Sequence, residues 1–255
     1  IYPAKNDVFF EENAVIYVLK GEKKFSGTRQ EVHVKKGDVL FVRRGFYLMS
    51  ESINESYKSL VFFFDEKLLK EFVSINEAIF ENTKSQNLQT ESLITIQTNE
   101  TFEQFIKTVL PYFESRNSLY LNQFLRLKYQ ELLLHLISFD KKNELKSLLK
   151  LINEGQKADL HYLMNNYYLK PLTLKELARL SGRSLSSFKR AFQEEFNTSP
   201  AAWIKAKRLE HAVFLLKNTE KNISQISVEI GYESVSHFIK AFKEKFGVTP
   251  KQAAP

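Results

Sequence analysis

Hydrophobic positions in the first quarter of the chain come in short runs, Ala14 to Leu19, Glu31 to Val34, Val39 to Val42 and Tyr57 to Phe64. Runs of this length, rich in Val, Phe and Tyr, predict β-strands. They are broken at Lys20-Gly21-Glu22, Ser26-Gly27, Lys36-Gly37-Asp38 and Arg44-Gly45, each of which places a glycine where a turn can need positive φ. Closely spaced strands with such breaks suggest a small barrel or sandwich.

After Asp65 the period becomes helical. The clearest helix runs from about Leu119 to Ser138, where Leu121, Leu125, Tyr129, Leu132 and Leu136 form one apolar stripe. Leu127, Leu134 and Ile137 add a second flank. A helix apolar on two sides needs two partners, so a homodimer through helix 119–138 is expected, with burial inside one chain as the alternative. A shorter apolar pattern, Leu145, Leu148, Leu149 and Ile152, lies among charged residues between Lys141 and Glu154. Gly155-Gln156-Lys157 then reads as a seam, which divides the chain into 1–157 and 158–255.

The second part contains a duplication. Phe188, Ala191, Phe192, Glu194, Phe196 and Pro200 recur fifty residues on at Phe238, Ala241, Phe242, Glu244, Phe246 and Pro250, while Leu177 and Gly182 recur at Ile226 and Gly231 with an offset of forty-nine. Each copy reads as helix, tight turn, helix. Thr173 to Glu176 is a capping box, Asn222 to Gln225 opens the equivalent helix, and Ser184 and Ser234 cap the helices that follow. Ser199-Pro200 and Thr249-Pro250 set an N-cap before a first-turn proline. A helix from about Ala201 to Lys217, about 25 Å long at 1.5 Å per residue, joins the copies.

Two helix-turn-helix units on one spacer can present their second helices to successive major-groove segments about 34 Å apart. Leu185, Phe188, Phe192 and Phe196 are the expected buried stripe of the first reading helix, and Val235, Phe238, Phe242 and Phe246 that of the second. Ser186, Ser187, Lys189, Arg190 and Gln193 then point outward from one, and Ser236, His237, Ile239, Lys240 and Lys243 from the other. Arg and Lys bond guanine edges, Gln pairs with adenine, and Ile can meet a thymine methyl. Lys205, Lys207 and Arg208 are candidate phosphate contacts, and Trp203 reads as core.

Charge supports a polyanion partner. Residues 1–158 hold 22 Lys and Arg against 21 Asp and Glu, whereas residues 159–255 hold 15 against 9. The excess sits where the repeat sits, as double-stranded DNA would require. An acidic protein is the alternative partner.

The repeat resembles the AraC/XylS transcription regulators, on its Gly231-Tyr232 turn, its Phe238-x-x-x-Phe242-x-x-x-Phe246-Gly247-x-Thr249-Pro250 tail and its connecting helix. The likeness covers about Lys170 to the C-terminus. Ser227 stands where the family usually has alanine, and Asn197 where it usually has glycine. The resemblance implies an α+β chain: a cupin-like β-barrel with a helical dimerisation region, then an all-α domain of two helix-turn-helix motifs joined by a long helix. It implies an activator that works with RNA polymerase and is controlled through its barrel by a small molecule or a partner protein. It places Ser186, Ser187, Lys189 and Arg190, with Ser236, His237 and Lys240, at base-contacting positions. The stretch Val34-x-x-Gly37-Asp38-x-Leu40-Phe41-Val42-Arg43-Arg44-Gly45 is similar to the virulence and type III secretion activator branch of the family.

An enzyme is not expected. There is no cysteine, and the first part holds only His33 and His135, on a strand and on the long helix, too few and too far apart for a metal cupin. The serines between Ser50 and Ser59 have no nucleophile-elbow glycines, and no phosphate-cradling glycine loop occurs. No catalytic residue, cofactor or metal is therefore assigned. No apolar run approaches the roughly 20 residues of a membrane span, and the absence of cysteine suits a reducing cytoplasm.

Overall fold

The computed structural model describes residues 5–27, 30–51, 56–83, 93–114, 120–155 and 157–254. Leu119 and Gln156, read above as a helix start and part of the seam, lie outside them, as does 52–55 of the serine-rich stretch. The chain forms two compact units, Ile1–Gln156 and Lys157–Pro255.

The first unit contains strands β1 (Lys5–Phe10), β2 (Asn13–Lys20), β3 (Glu22–Ser26), β4 (Glu31–Lys35), β5 (Val39–Val42), β6 (Gly45–Glu51) and β7 (Lys58–Phe64). Helices α1 (Glu66–Ile75) and α2 (Glu77–Phe80), strand β8 (Leu93–Ile96), and helices α3 (Glu100–Val109), α4 (Pro111–Glu114), α5 (Leu121–Phe139) and α6 (Glu144–Asn153) follow. The strands make two antiparallel four-stranded sheets, ordered β1-β6-β3-β4 and β7-β2-β5-β8. No strand pairing joins the sheets among the described residues, so of the barrel and the sandwich that the strand pattern allowed, the unit is an open stack of two sheets and the barrel implied by the resemblance is not closed.

Side-chain alternation dictates the layers. On β2, Ala14, Ile16 and Val18 join Phe25, Val34 and Tyr47 between the sheets, while Val15 and Tyr17 face the helices. The second sheet is thus buried on both faces, which is why β2 and β5 read as continuous apolar runs. The first sheet is covered on one face only, and β4 accordingly alternates Val32 and Val34 with Glu31, His33 and Lys35. Closing a barrel requires the edge strands to pair, and among the described residues neither β1 nor β4 pairs with β7 or β8. Asp65 starts α1 by accepting from the Leu68 N–H at 2.7 Å.

Gly21 and Gly37 have positive φ, as turns require, but Gly45 does not: it opens β6 opposite Phe10, against the ring of its own Tyr47. His33 pairs with Glu22 on the outer face at 3.1 Å, and His135 lies among the rings of Phe102, Phe105 and Phe139. No group of three or more His, Cys, Asp or Glu among the described residues is placed to hold a metal ion.

On α5, Leu132, Leu133 and Leu136 are fully buried, and Tyr129 meets Phe64 edge to face at 4.9 Å. Ile137, expected on the outer flank, packs on this core. Leu127 and Leu134 do face solvent, 65% and 42% exposed, with Tyr120 and Phe124 on the same stripe. No described helix is long and apolar enough to cross a membrane.

Candidate nucleic-acid interface

The second unit is all helical: α7 (Leu160–Tyr167), α8 (Leu174–Leu180), α9 (Leu185–Phe196), α10 (Pro200–Asn218), α11 (Ile223–Glu229), α12 (Val235–Phe246) and α13 (Pro250–Ala253). The duplication extends to individual hydrogen bonds. The Gly182 and Arg183 amides donate to Arg179 O and Ala178 O, and forty-nine residues later the Gly231 and Tyr232 amides donate to Val228 O and Ser227 O. These close both first helices at a left-handed glycine, with φ +72° at Gly182 and +79° at Gly231. Fifty residues separate the ends of the second helices, where Asn197 (φ +54°) donates to Gln193 O and Gly247 (φ +76°) to Lys243 O. Asparagine tolerates that conformation, which explains the departure at Asn197.

Caps fix where each helix starts. Thr173 and Glu176 form a reciprocal box, the Glu176 amide donating to Thr173 Oγ1 at 3.2 Å and the Thr173 amide to Glu176 Oε2 at 2.6 Å. Hydrogen bonds from the Thr173 hydroxyl and amide hold the Glu176 carboxyl below the usual carboxylate range. Asn222 and Gln225 make the same box without a charge. Ser184 and Ser234 accept from the Ser187 and His237 amides and start the two reading helices.

Each module has an aromatic core. Phe188, Phe192 and Phe196 pack down α9, and Trp203 of α10 meets Phe192 and Phe196 edge to face. In the second module Tyr232, Phe238, Phe242 and Phe246 repeat the ladder. Two expectations fail at the edges of these stripes. Leu185, the first residue of α9, is 38% exposed, because a helix N-terminus projects beyond the core. Ile239 is half-buried against the second core instead of facing outward.

The candidate reading residues Ser186, Lys189, Arg190, Gln193, Ser236, His237, Lys240 and Lys243 are exposed, and Ser187 is half-buried beside its cap. None of Lys189, Arg190, Lys240 and Lys243 forms an ion pair with a described residue. Lys205 and Lys207 of α10 are engaged internally, Lys205 with Glu244 at 3.6 Å and Lys207 with Glu210, which Lys245 also reaches at 3.0 Å. The hydrogen bond from Lys245, aided by Lys207, holds the Glu210 carboxyl below its usual range. Each of the two outward helix faces thus carries two cations with no ion-pair partner among the described residues, which a polyanion can engage.

Arg208 departs from the role its basic neighbourhood suggested. It turns inward, donating Nε to Tyr168 O at 2.7 Å, Nη2 to Lys170 O at 3.1 Å and Nη1 to Gly231 O at 3.3 Å. Burial pulls its guanidinium below the ordinary arginine value, partly offset by Tyr232, and it stays charged. Arg183 does a similar job in the first turn, donating to Ala158 O at 2.8 Å and Ser181 O at 3.1 Å. These two clamps position the reading helices, and no local sequence signal separates them from surface arginines.

The family described as the ExsA N-terminal regulatory domain matches residues 13–148, and the one described as a helix-turn-helix domain matches residues 177–254. The virulence regulon transcriptional activator VirF of Yersinia enterocolitica is 27% identical over 243 residues, 95% of this chain and 89% of VirF. The HTH-type transcriptional regulator ExsA of Pseudomonas aeruginosa is 27% identical over 244 residues, 95% of this chain and 86% of ExsA. Among solved structures, an AraC-type regulator from Chromobacterium violaceum is 28% identical, covering 39% of this chain and 89% of that one at a TM-score of 0.36. With an ExsA-type regulatory domain over more than half its length and a duplicated helix-turn-helix after it, the chain belongs to the AraC/XylS family of DNA-binding transcriptional regulators.

Proposed function

We propose that this protein is a sequence-specific activator whose α9 and α12 read successive major-groove segments of double-stranded DNA and which recruits or contacts RNA polymerase there. The observation that carries the reading is the pair of exposed helix faces, related by the repeat, whose cations have no ion-pair partner among the described residues. Ser186, Ser187, Lys189, Arg190 and Gln193, with Ser236, His237, Lys240 and Lys243, are the contact residues. Leu185 rather than Ile239 is the apolar side chain open to a thymine methyl. That relatives are named as activators supports the direction of control.

Residues 1–157 act as the regulatory and dimerisation domain and 158–255 as the DNA-binding domain. Tyr120, Phe124, Leu127 and Leu134 recur at spacings of four, three and seven, a coiled-coil seam that a second copy of α5 covers. A small molecule or a partner protein bound to the first unit sets the activity, through different affinity for two states of the chain.

In vitro selection of duplexes on the full-length protein, followed by titration of selected against scrambled DNA, tests the assignment. The expected result is a preference of at least about 10³-fold and a steep fall of affinity with salt. No preference at any salt would instead favour an acidic protein as the partner of the basic unit.

A further inference from the structure

Between the two modules lies a cleft of about 650 Å³. Its rim carries Lys205 and Arg208 from α10 and His237 and Lys240 from α12, and Glu244 is the one acid among the described residues that line it. Arg208 is committed to three carbonyls, so Lys205 and Lys240 are the cations available to a ligand. Glu244 follows Lys240 by four residues and His237 by seven, which sets all three on one face of α12. Its carboxylate stands 3.6 Å from Lys205 Nζ, and both side chains are about half exposed. The equivalent residue of the first module, Glu194, forms no ion pair with a described residue.

We propose that the cleft seats a backbone phosphate of the DNA between the two half-sites, and that Glu244 fills this seat in the free protein as an internal stand-in for the phosphate. The inference rests on the DNA-binding reading above. A carboxylate held against a lysine marks where a phosphate oxygen would sit, and an exposed pair exchanges partners at small cost. When DNA docks, Lys205 passes from Glu244 to the phosphate, joined by Lys240. Glu244 therefore acts as a brake on affinity that does not depend on base sequence.

The test is a double-mutant cycle on the full-length protein, with fluorescence anisotropy on a selected duplex and on its scramble. Glu244→Gln should tighten binding to both by about two- to fivefold. Lys205→Ala should weaken both and lower the slope of log affinity against log salt by about 0.9. The gain from Glu244→Gln should disappear in the Lys205→Ala background, whereas any gain from Glu194→Gln should persist there. Equal gains from Glu244→Gln with and without Lys205, or no gain, would overturn the proposal. Neutral methylphosphonate linkages between the half-sites should also abolish the gain. If the gain survives them while inorganic phosphate at constant ionic strength weakens binding more than chloride, the seat takes a free phosphate and the backbone assignment fails. Loss of preference for selected over scrambled DNA in the unmodified protein would refute the DNA reading itself, separately from the seat.

Discussion

Replacing Gly231 with alanine tests whether the second reading helix is held by Arg208. Gly231 has φ +79°, where an L residue costs about 1–2 kcal/mol. The added Cβ would stand 2.7 Å from Arg208 Nη1 and 3.0 Å from Cζ, so the guanidinium must move. It cannot swing freely, since Tyr168 O and Lys170 O hold its other nitrogens. Loss of the charge-assisted bond to Gly231 O brings the total to about 3 kcal/mol. Gly247 is the internal control: its φ is +76°, but nothing lies within 4 Å of an added Cβ. Gly247→Ala should therefore cost only about 1–2 kcal/mol, and Gly247→Asn less, since Asn197 already occupies the equivalent cap. Urea unfolding followed by the fluorescence of Trp203, the only tryptophan, reports this unit through its packing on Phe192, Phe196 and Tyr168. For Gly231→Ala the midpoint should fall by about 1.5 M at an m-value of about 2 kcal/mol/M. In an Arg208→Ala background the excess over Gly247→Ala should vanish. A Gly231→Ala cost no larger than that of Gly247→Ala, or an excess that survives the loss of Arg208, would refute the clamp.

Other consequences are separable by assay. Arg190→Ala should cost about 1–3 kcal/mol on a selected duplex and relax preference at one base position; a uniform loss across sequences in a binding-profile experiment would demote it to a phosphate contact. Glu176→Gln should lower the stability of the second unit near neutral pH. The carboxyl is held below its unfolded value of about 4.3, so its contribution is complete above that pH and lost as pH falls through the lower folded value. The variant and the parent should accordingly converge in acid, and Gln225→Glu should import the same pH dependence into the second module. On α5, Leu127→Glu with Leu134→Glu should leave thermal stability of the first unit nearly unchanged and convert a dimer to a monomer in sedimentation; a dimer that survives would place the interface elsewhere.

Much of the second unit was legible because its information is local. Caps, left-handed glycines and a period of four act within one turn, and the duplication shows them twice, at offsets of forty-nine and fifty. Arg208 was not legible: within Lys205, Lys207 and Arg208, nothing local shows which side chain reaches a turn twenty-three residues away. Leu185 was misassigned because a helical period does not say where along its length a helix leaves its core, and Ile239 because it does not say how wide the buried face is around Phe238 and Phe242. In the first unit, β2, β5 and β7 announced themselves as apolar runs, whereas β8, four residues within a stretch read as helical, did not. Nor did β3, since its Lys23 is buried with its ammonium 4.1 Å from the centroid of the Tyr57 ring, a cation–π placement that a polar residue does not signal. β6 was hidden by Gly45, whose lack of a Cβ serves the Tyr47 ring instead of a turn. Open sheets and a barrel share the same alternation, so strand pattern alone does not distinguish them.

The central claim is that two related helices read one face of DNA. Hydroxyl-radical footprinting of the full-length protein on a selected duplex tests it most directly. The account predicts two protected patches about one helical turn apart on the same face, the first lost in Arg190→Ala and the second in Lys240→Ala. A single protected patch, or protection unaffected by both substitutions, would contradict it.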